Sequence, residues 1–455
     1  MARPLPRVVQ ELRASYWFLP SIMAVAAIGL GALMVWLDAG PATGVLDGLG
    51  WYQKAKPDGA HQVLSTIAGS MITVAGVVFS ITIVAIAYAA SQYGPRVLTN
   101  FMSDRGNQAT LGTFIATFVY CLVVLRTIRG GDEGEFVPQL AVMMGLLLAL
   151  CSIAVLIYFI HHVPLSIHIN NVVARIGNQL IHSVEKRFPA RIGDPPEKHR
   201  QERGQSSEAE RALSEGVGVT AIEAPANGYI EAVDDDRLMD IARDHDVVLK
   251  LHHNPGEYLF SGQLLVSAWP AGKLDKEAQD RVADVYDIGN NRTPAQDMDF
   301  LVDELVEISA RALSTGVNDP FTAITCLDWL GAAATQLGRR RIPAGRRLDR
   351  DGALRVIASP QTFKGFVERG FGRMRQYLAQ DMNAAMHALD VLAAVARCSE
   401  GPERLEPLAA EAEGLMALAE LELKAPTLAR MREHYATLAP AFSGGFGEAR
   451  LPIPG

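Results

Sequence analysis

The stretch "NRTPAQDMDFLVDELVEISAR", residues 291–311, sets Asp297, Asp299, Asp303, Glu304 and Glu307 close together. Asp299, Asp303 and Glu307 recur every four residues and share one face of a helix, while Asp297, Glu304 and Arg311 fall on others. With Asn318 and Asp319 a little further on, such carboxylates could hold a metal for hydrolysis. The rest of that chemistry is missing from the sequence: no His stands at ligand spacing, no glycine-rich loop cradles a phosphate, and no Ser or Cys has a nucleophile's surroundings. The expectation is a solvated acidic face partnered by Arg311, with no catalytic residue, no metal and no cofactor. His161-His162 and His252-His253 are adjacent pairs whose rings point to different faces, which suits a metal poorly.

Hydroxyls form a second pattern. Thr66, Ser70, Thr73 and Ser80 follow one another at spacings that share a helix face, with Gly69 and Gly76 nearby, whereas Ile72, Val78 and Ile83 are expected to point away. In a bilayer such a face either lets helices approach and hydrogen-bond or lines a hydrated path. No Asp, Glu, Lys or Arg falls inside the spans assigned below, which argues against a proton relay and leaves a passive pore open. The segment then breaks at Gly94-Pro95, followed by Arg96, a place for a hinge or gate or for an ordinary interfacial turn.

These patterns need elements to position them. Residues 1–160 carry nine basic and eight acidic side chains of the chain's 42 Lys+Arg and 50 Asp+Glu, so the remainder is acidic and the first third nearly uncharged. That balance speaks against a nucleic-acid partner. Four apolar runs are long enough to span a bilayer: Tyr16 to Leu37, Ile67 to Ala90, Leu111 to Leu125 with its flanks, and Pro138 to Ile160. Arg3, Arg7 and Arg13 precede the first, Arg96 and Arg105 follow the second, and Arg175, Lys186, Arg187 and Arg191 follow the fourth, which places both termini in the cytoplasm. Cys121, Cys151, Cys326 and Cys398 show no paired spacing, in keeping with a reduced soluble region.

Beyond the membrane part, residues 163–190 read as a helical extension and 191–216, rich in Pro, Gly and charge, as a linker. Alternation in "VTAIEAPANGYIEAV" and "VVLKLHHNPGEYLFSGQLLVSAW" predicts a small β-rich module over 217–272, barrel-sandwich-like, with a short helix at "DDDRLMDIARDHD". Lys250 lies within a strand, unlike the exposed hairpin lysine of a carrier domain. A helical domain over 273–440 follows, with segments near Lys276 to Tyr286, Asp297 to Leu313, Pro320 to Gln336, Gln361 to Ala396 and Leu405 to Leu438, then a tail over 441–455. Within it, "RALSTGVNDPFTAITCLDWL" reads as a helix stop and start: Gly316 as a left-handed cap, Asp319 as N-cap and Pro320 at the first helical position.

The strings "SQYGPRVLTNF", "NQATLGTFIATFVY", "GYIEAVDDDRL", "RTPAQDMDF" and "RALSTGVNDPFTAITCLDWL", in this order, are similar to a bacterial family of predicted integral membrane proteins of unknown function. The resemblance implies the architecture and no activity. The fold class expected is thus mainly α: a four-helix transmembrane domain over 1–162, then a cytoplasmic region with the β-rich module and the helical domain. The function expected is an oligomeric channel or conduit of the bacterial inner membrane, homo-oligomeric and lipid-embedded. The alternative is a membrane-anchored sensor or scaffold that binds a cytoplasmic partner, and an enzyme ranks behind both.

Overall fold

The computed structural model describes residues 17–40, 56–94, 104–130, 136–188, 203–340, 342 and 345–443. The chain is mostly helical and divides into two compact units at Val172 and Val173.

The first unit holds α1 (Phe18–Ala39), α2 (Pro57–Tyr93), α3 (Arg105–Leu125) and α4 (Gln139–Ile167), all long and apolar enough to cross a membrane. Each coincides with an expected span. Helix α2 starts at Pro57 rather than near Ile67, because Pro in a first turn forfeits no hydrogen bond and Asp58 suits the positive end of the helix dipole. Half of α3 is buried against 17–22% of the others, so α3 is the central helix on which the rest pack.

Between helices in lipid, close approach and hydrogen bonds do what the hydrophobic effect does in water. A methyl group at Gly112 would stand 2.5 Å from Met23 Sδ, and one at Gly145 2.8 Å from Leu64. Tyr120 donates to Ala141 O (2.8 Å), and the hydroxyls of Thr117 and Ser152 meet at 3.0 Å. Asp38, in the last turn of α1, accepts from the N–H groups of Leu140 (3.0 Å) and Ala141 (2.9 Å). It thereby caps the otherwise unsatisfied start of α4.

Helix α5 (Ile169–Arg187) leads into the second unit, where Val173, Ile176, Leu180 and Val184 are fully buried and Gly177 lies under the Trp329 ring. The stretch read as a linker contains a helix, α6 (Arg203–Glu215), whose Ala209 and Leu213 pack on Val248 and Leu354. The alternating segments form β1 (Thr220–Glu223), β2 (Gly228–Val233), β3 (Val248–Leu251), β4 (Tyr258–Leu259) and β5 (Leu264–Trp269), with α7 (Asp235–Asp244) where the short helix was expected.

The sheets recruit later residues too. After α8 (Lys276–Ala283), β6 (Tyr286–Gly289) joins a three-stranded antiparallel sheet in the order β4-β2-β6. The strands β7 (Arg346–Leu348) and β8 (Leu354–Ile357) complete a five-stranded sheet in the order β1-β5-β3-β8-β7, in which only β3 and β8 run parallel. The β core, with Ile230, Leu249, Leu259, Leu265 and Val266 at its centre, thus includes Val356 from far down the chain. Lys250 lies in β3 and donates to Leu213 O at 3.3 Å.

The helices that follow are α9 (Met298–Ala312), α10 (Pro320–Gly338), α11 (Phe363–Gly370), the four-residue α12 (Arg375–Leu378), α13 (Met382–Arg397), α14 (Pro402–Glu422) and α15 (Ala425–Phe442). The single helix expected over 361–396 is cut twice. Gly370 and Gly372 flank the first break, and Asp381 caps a fresh start by accepting from Ala384 N at 2.9 Å.

Candidate functional site

Helix α2 packs through one stripe, Ala60, Leu64, Ala68, Met71, Ala75, Val78, Thr82 and Ala89, all buried. At 100° per residue the hydroxyls of Thr66, Thr73 and Ser80 lie on the opposite side, roughly 170° from that stripe. Each donates to the carbonyl four residues back, at Gln62 (2.7 Å), Gly69 (2.8 Å) and Gly76 (2.9 Å). The donor is spent on the helix itself, which leaves an oxygen acceptor facing outward. Ser70 is exposed on the same side, and a methyl group at Gly69 or Gly76 would meet nothing within 4 Å. Of the three positions expected to point away, only Val78 does so. Ile72 and Ile83 flank the stripe and are about half exposed, because a helix packed along one side leaves well over half its circumference open.

The helix ends at Gly94, whose φ of 110° is favourable only for glycine. Pro95 and Arg96 lie outside the described residues. Asp104 caps α3 by accepting from Asn107 N at 3.0 Å. His162 Nε2 lies 3.2 and 3.3 Å from its two carboxylate oxygens, and the Tyr158 ring stacks on His162 at 5.1 Å.

In the second unit the acidic pattern is not solvated. Asp297 and Asp303 are almost fully buried, and the partners that bury them come from outside α9. Asp297 Oδ1 caps α9 by accepting from Phe300 N (3.1 Å), while its Oδ2 accepts from Arg292 Nε (2.9 Å) and Nη2 (2.6 Å). Asp303 accepts from Arg292 Nη1 (2.6 Å), Arg369 Nε (2.8 Å) and Nη2 (2.9 Å), and Arg373 Nη1 (2.8 Å). Asp299 accepts from Arg369 Nη1 at 2.8 Å. Arg187, at the end of α5, adds its charge opposite Asp297 and Asp299. Arg311, the partner visible in the sequence, donates to Glu307 at 3.4 Å.

Burial pushes the Asp297 and Asp299 carboxyls above their ordinary range, and the neighbouring arginines recover only part of the shift. Burial acts the same way on Asp303, but the hydrogen bonds from Arg369 and Arg292 outweigh it and hold that carboxyl below its ordinary range. A strap just upstream fastens the cluster to the β region. The Gln296 side chain accepts from Val233 N (2.8 Å) and donates to Val233 O (3.0 Å), as a neighbouring strand would. Gly256 leaves room for Asp297, since a methyl group there would fall 2.0 Å from its Oδ2.

The corner after α9 does what its residues suggested, with one substitution. Asp319 Oδ1 accepts from Thr322 N (3.2 Å), its Oδ2 accepts from Thr322 Oγ1 (2.6 Å), and Pro320 opens α10. The left-handed residue is Asn318, at φ 52°, and not Gly316. Asn tolerates that conformation among non-glycine residues. Val317 and Phe321 stand exposed beside it. The 15 residues of α9 separate this corner from Asp297 by about 22 Å. Asn318 and Asp319 therefore do not join Asp297, Asp299 and Asp303 in one site.

The profile of a family described as predicted membrane protein (DUF2254) matches residues 13–394. The chain belongs to this family. An uncharacterized protein of Mycobacterium tuberculosis is 30% identical over 406 residues, which cover 87% of this chain and 74% of that protein, and an uncharacterized protein of Mycobacterium bovis matches to the same extent. No solved structure matches the chain. The family match takes in the membrane helices, the strap, the Asp–Arg cluster and the corner, and stops within α13.

For this family member the sequence reading missed three kinds of residue. Arg292 lies five residues before Asp297, but Arg369 and Arg373 are 66 and 70 residues from Asp303, and nothing local marks that pair as partners of α9. Asp38 sits just past the first expected span, so its role as a cap for another helix had no local sign. Gln296 could have been found through the strap "RTPAQD", which is neither helical nor alternating and yet precedes a strong N-cap. Among the described residues, no three His, Cys, Asp or Glu converge as metal ligands. His252 meets Ser267 Oγ at 2.9 Å and His253 meets Glu257 at 2.8 Å, so the adjacent pair serves two separate contacts.

Proposed function

We propose that the protein is a homo-oligomeric conduit of the bacterial inner membrane, with α2 of each copy lining a hydrated path and the second unit in the cytoplasm as a regulatory assembly. The observation that carries this reading is the placement of Thr66, Ser70, Thr73 and Ser80 on the side of α2 that a single copy leaves uncovered. A hydroxyl stripe spent on packing within one copy would lie against α3 or α4. One left outside meets either lipid or other copies, and around a shared axis such stripes supply the oxygen acceptors of a pore.

The test is thiol accessibility in reconstituted protein, with Cys121 and Cys151 replaced by Ala. Thr66→Cys, Thr73→Cys and Ser80→Cys should react with small water-soluble thiol reagents, because the reactive thiolate needs water. Val78→Cys, inside the bundle, and Ile157→Cys, on the open side of α4, should not. Equal inertness at all five positions in a well-folded protein would make the stripe a lipid-facing or packing surface. The orientation is tested separately: a reporter fused after Gly455 should be active only in the cytoplasm and one inserted at Gly134 only outside.

A further inference from the structure

We infer that the corner between α9 and α10 inserts Val317 and Phe321 into the interface of the bilayer that anchors the chain. Val317 is 46% exposed and Phe321 74%, on the two sides of a single tight turn. From Ala312 to Leu327 the only charged residue is Asp319, and its two carboxylate oxygens are taken up by Thr322 N and Thr322 Oγ1. The backbone of the turn is bonded as well. Val317 N (3.1 Å) and Asn318 N (2.9 Å) donate to Ser314 O, and Asp319 N donates to Ala312 O (2.8 Å). The hydroxyls of Ser314 and Thr325 return to Arg311 O (2.6 Å) and Phe321 O (3.0 Å). A turn whose one charge and these donors are already engaged loses little on leaving water, while two bare apolar side chains gain.

Packing within the second unit gives the turn its direction. Gly177 of α5 lies under the Trp329 ring of α10, and eleven residues on along both segments Arg340 donates to Phe188 O at 2.6 Å. The two helices therefore run the same way. Phe321 stands eight residues before Trp329, about 12 Å back along α10, towards the N-terminal end of α5. That end is where the chain arrives from the bilayer, since α4 closes at Ile167 and α5 opens at Ile169. Chain order thus ties the corner to a lipid surface held at high effective concentration. Two apolar side chains on an uncharged turn match the boundary between headgroups and acyl chains. A protein partner would find no free charge here to fix its register. This inference rests on the membrane spans and not on whether α2 lines a path.

The test uses the full chain in phosphatidylcholine nanodiscs, with Cys151 and Cys398 replaced by Ala; Cys121 and Cys326 are fully buried. A nitroxide is attached through Thr315→Cys, in the exposed turn, or through Arg339→Cys, at the far end of α10 and about 27 Å from Phe321. Oxygen concentrates among acyl chains, whereas a water-soluble nickel chelate stays outside them. The ratio of oxygen to nickel collisions should therefore be several-fold higher at 315 than at 339. The variant Val317→Ser/Phe321→Ser should bring the ratio at 315 down to that at 339. Its denaturant midpoint should not move, because both side chains are exposed and the Asp319 cap is untouched. Phe321→Trp should keep the high ratio. Neither high salt nor added phosphatidylglycerol should alter it, since no free charge takes part. Equal ratios at the two positions would overturn the proposal. So would a high ratio that survives the double Ser variant, which would mean that the fold alone sets the depth, or one that is lost at high salt. Shielding from both reagents that grows with the number of copies per disc would also overturn it and make the corner a contact between copies.

Discussion

The hydroxyl stripe of α2 and the carboxylate stripe of α9 follow the same helical arithmetic and meet opposite surroundings. On α2, small polar side chains at lipid depth are left on the open side, their donors returned to their own helix. On α9, full charges that could have faced water are folded inward and held by three arginines from other segments. Periodicity decides which side chains share a face, and the partners supplied by the rest of the chain decide what that face meets.

The sharpest way to break the comparison is to remove the centre of the buried cluster. Asp303→Ala leaves Arg292 and Arg369 without their shared acceptor and should destabilise the second unit by about 3–5 kcal/mol, read as a lowered denaturant midpoint. The pH dependence sharpens the point. Asp303 is depressed in the folded protein, so its stabilisation is complete above the unfolded carboxylate value near 3.9 and is lost as pH falls through the lower folded value. Asp297 and Asp299 are raised, so their contribution has the opposite sign: present at low pH and lost as pH rises through their folded values. Acid titration of Asp303→Ala should therefore show a smaller loss of stability at low pH than the parent, the remainder coming from the likewise depressed Asp246 and Asp349.

Next in size is the contact that seats α5. In Gly177→Ala the new methyl group would fall 2.3 Å from the Trp329 ring. The overpacking should cost about 1–3 kcal/mol, and Trp329 fluorescence should report the displaced ring. An unshifted midpoint would mean that the ring swings clear and that α5 is held by its apolar stripe alone.

Smaller still is the corner. Asp319→Ala should cost about 1 kcal/mol as a lost N-cap, and Asp319→Asn should be nearly neutral. If both unfold at the same midpoint, a negative charge at 319 is what the corner requires. Smallest of all is the open side of α2, where Thr73→Val should change stability by less than about 0.5 kcal/mol while reducing ion flux through reconstituted vesicles. A large loss of stability there would place Thr73 in a packed seam after all.

Much of this was legible before any coordinates. The four spans announce themselves through length and apolarity, and Asp319-Pro320 writes its own helix start. Alternation from Thr220 to Trp269 gives five strands, with Lys250 inside one of them. Short strands such as "YDIG", "RRL" and "LRVI" carry too few residues to alternate and exist only because β2, β8 and β3, respectively, offer them an edge. The acidic face was misread for a related reason: Arg369 lies 66 residues from Asp303, and no local rule couples such distant positions. Gly316 is the expected left-handed residue because glycine adopts that conformation most readily, but the geometry of the turn puts it two residues later, at Asn318.

The parallel pairing of β3 with β8 has a consequence for synthesis. β3 ends at Leu251 and β8 at Ile357, so one edge of β3 waits while the ribosome adds more than a hundred residues. At ordinary elongation rates that wait is roughly 5–20 s. Throughout it, a row of strand N–H and C=O groups stands open, available to any strand that arrives first.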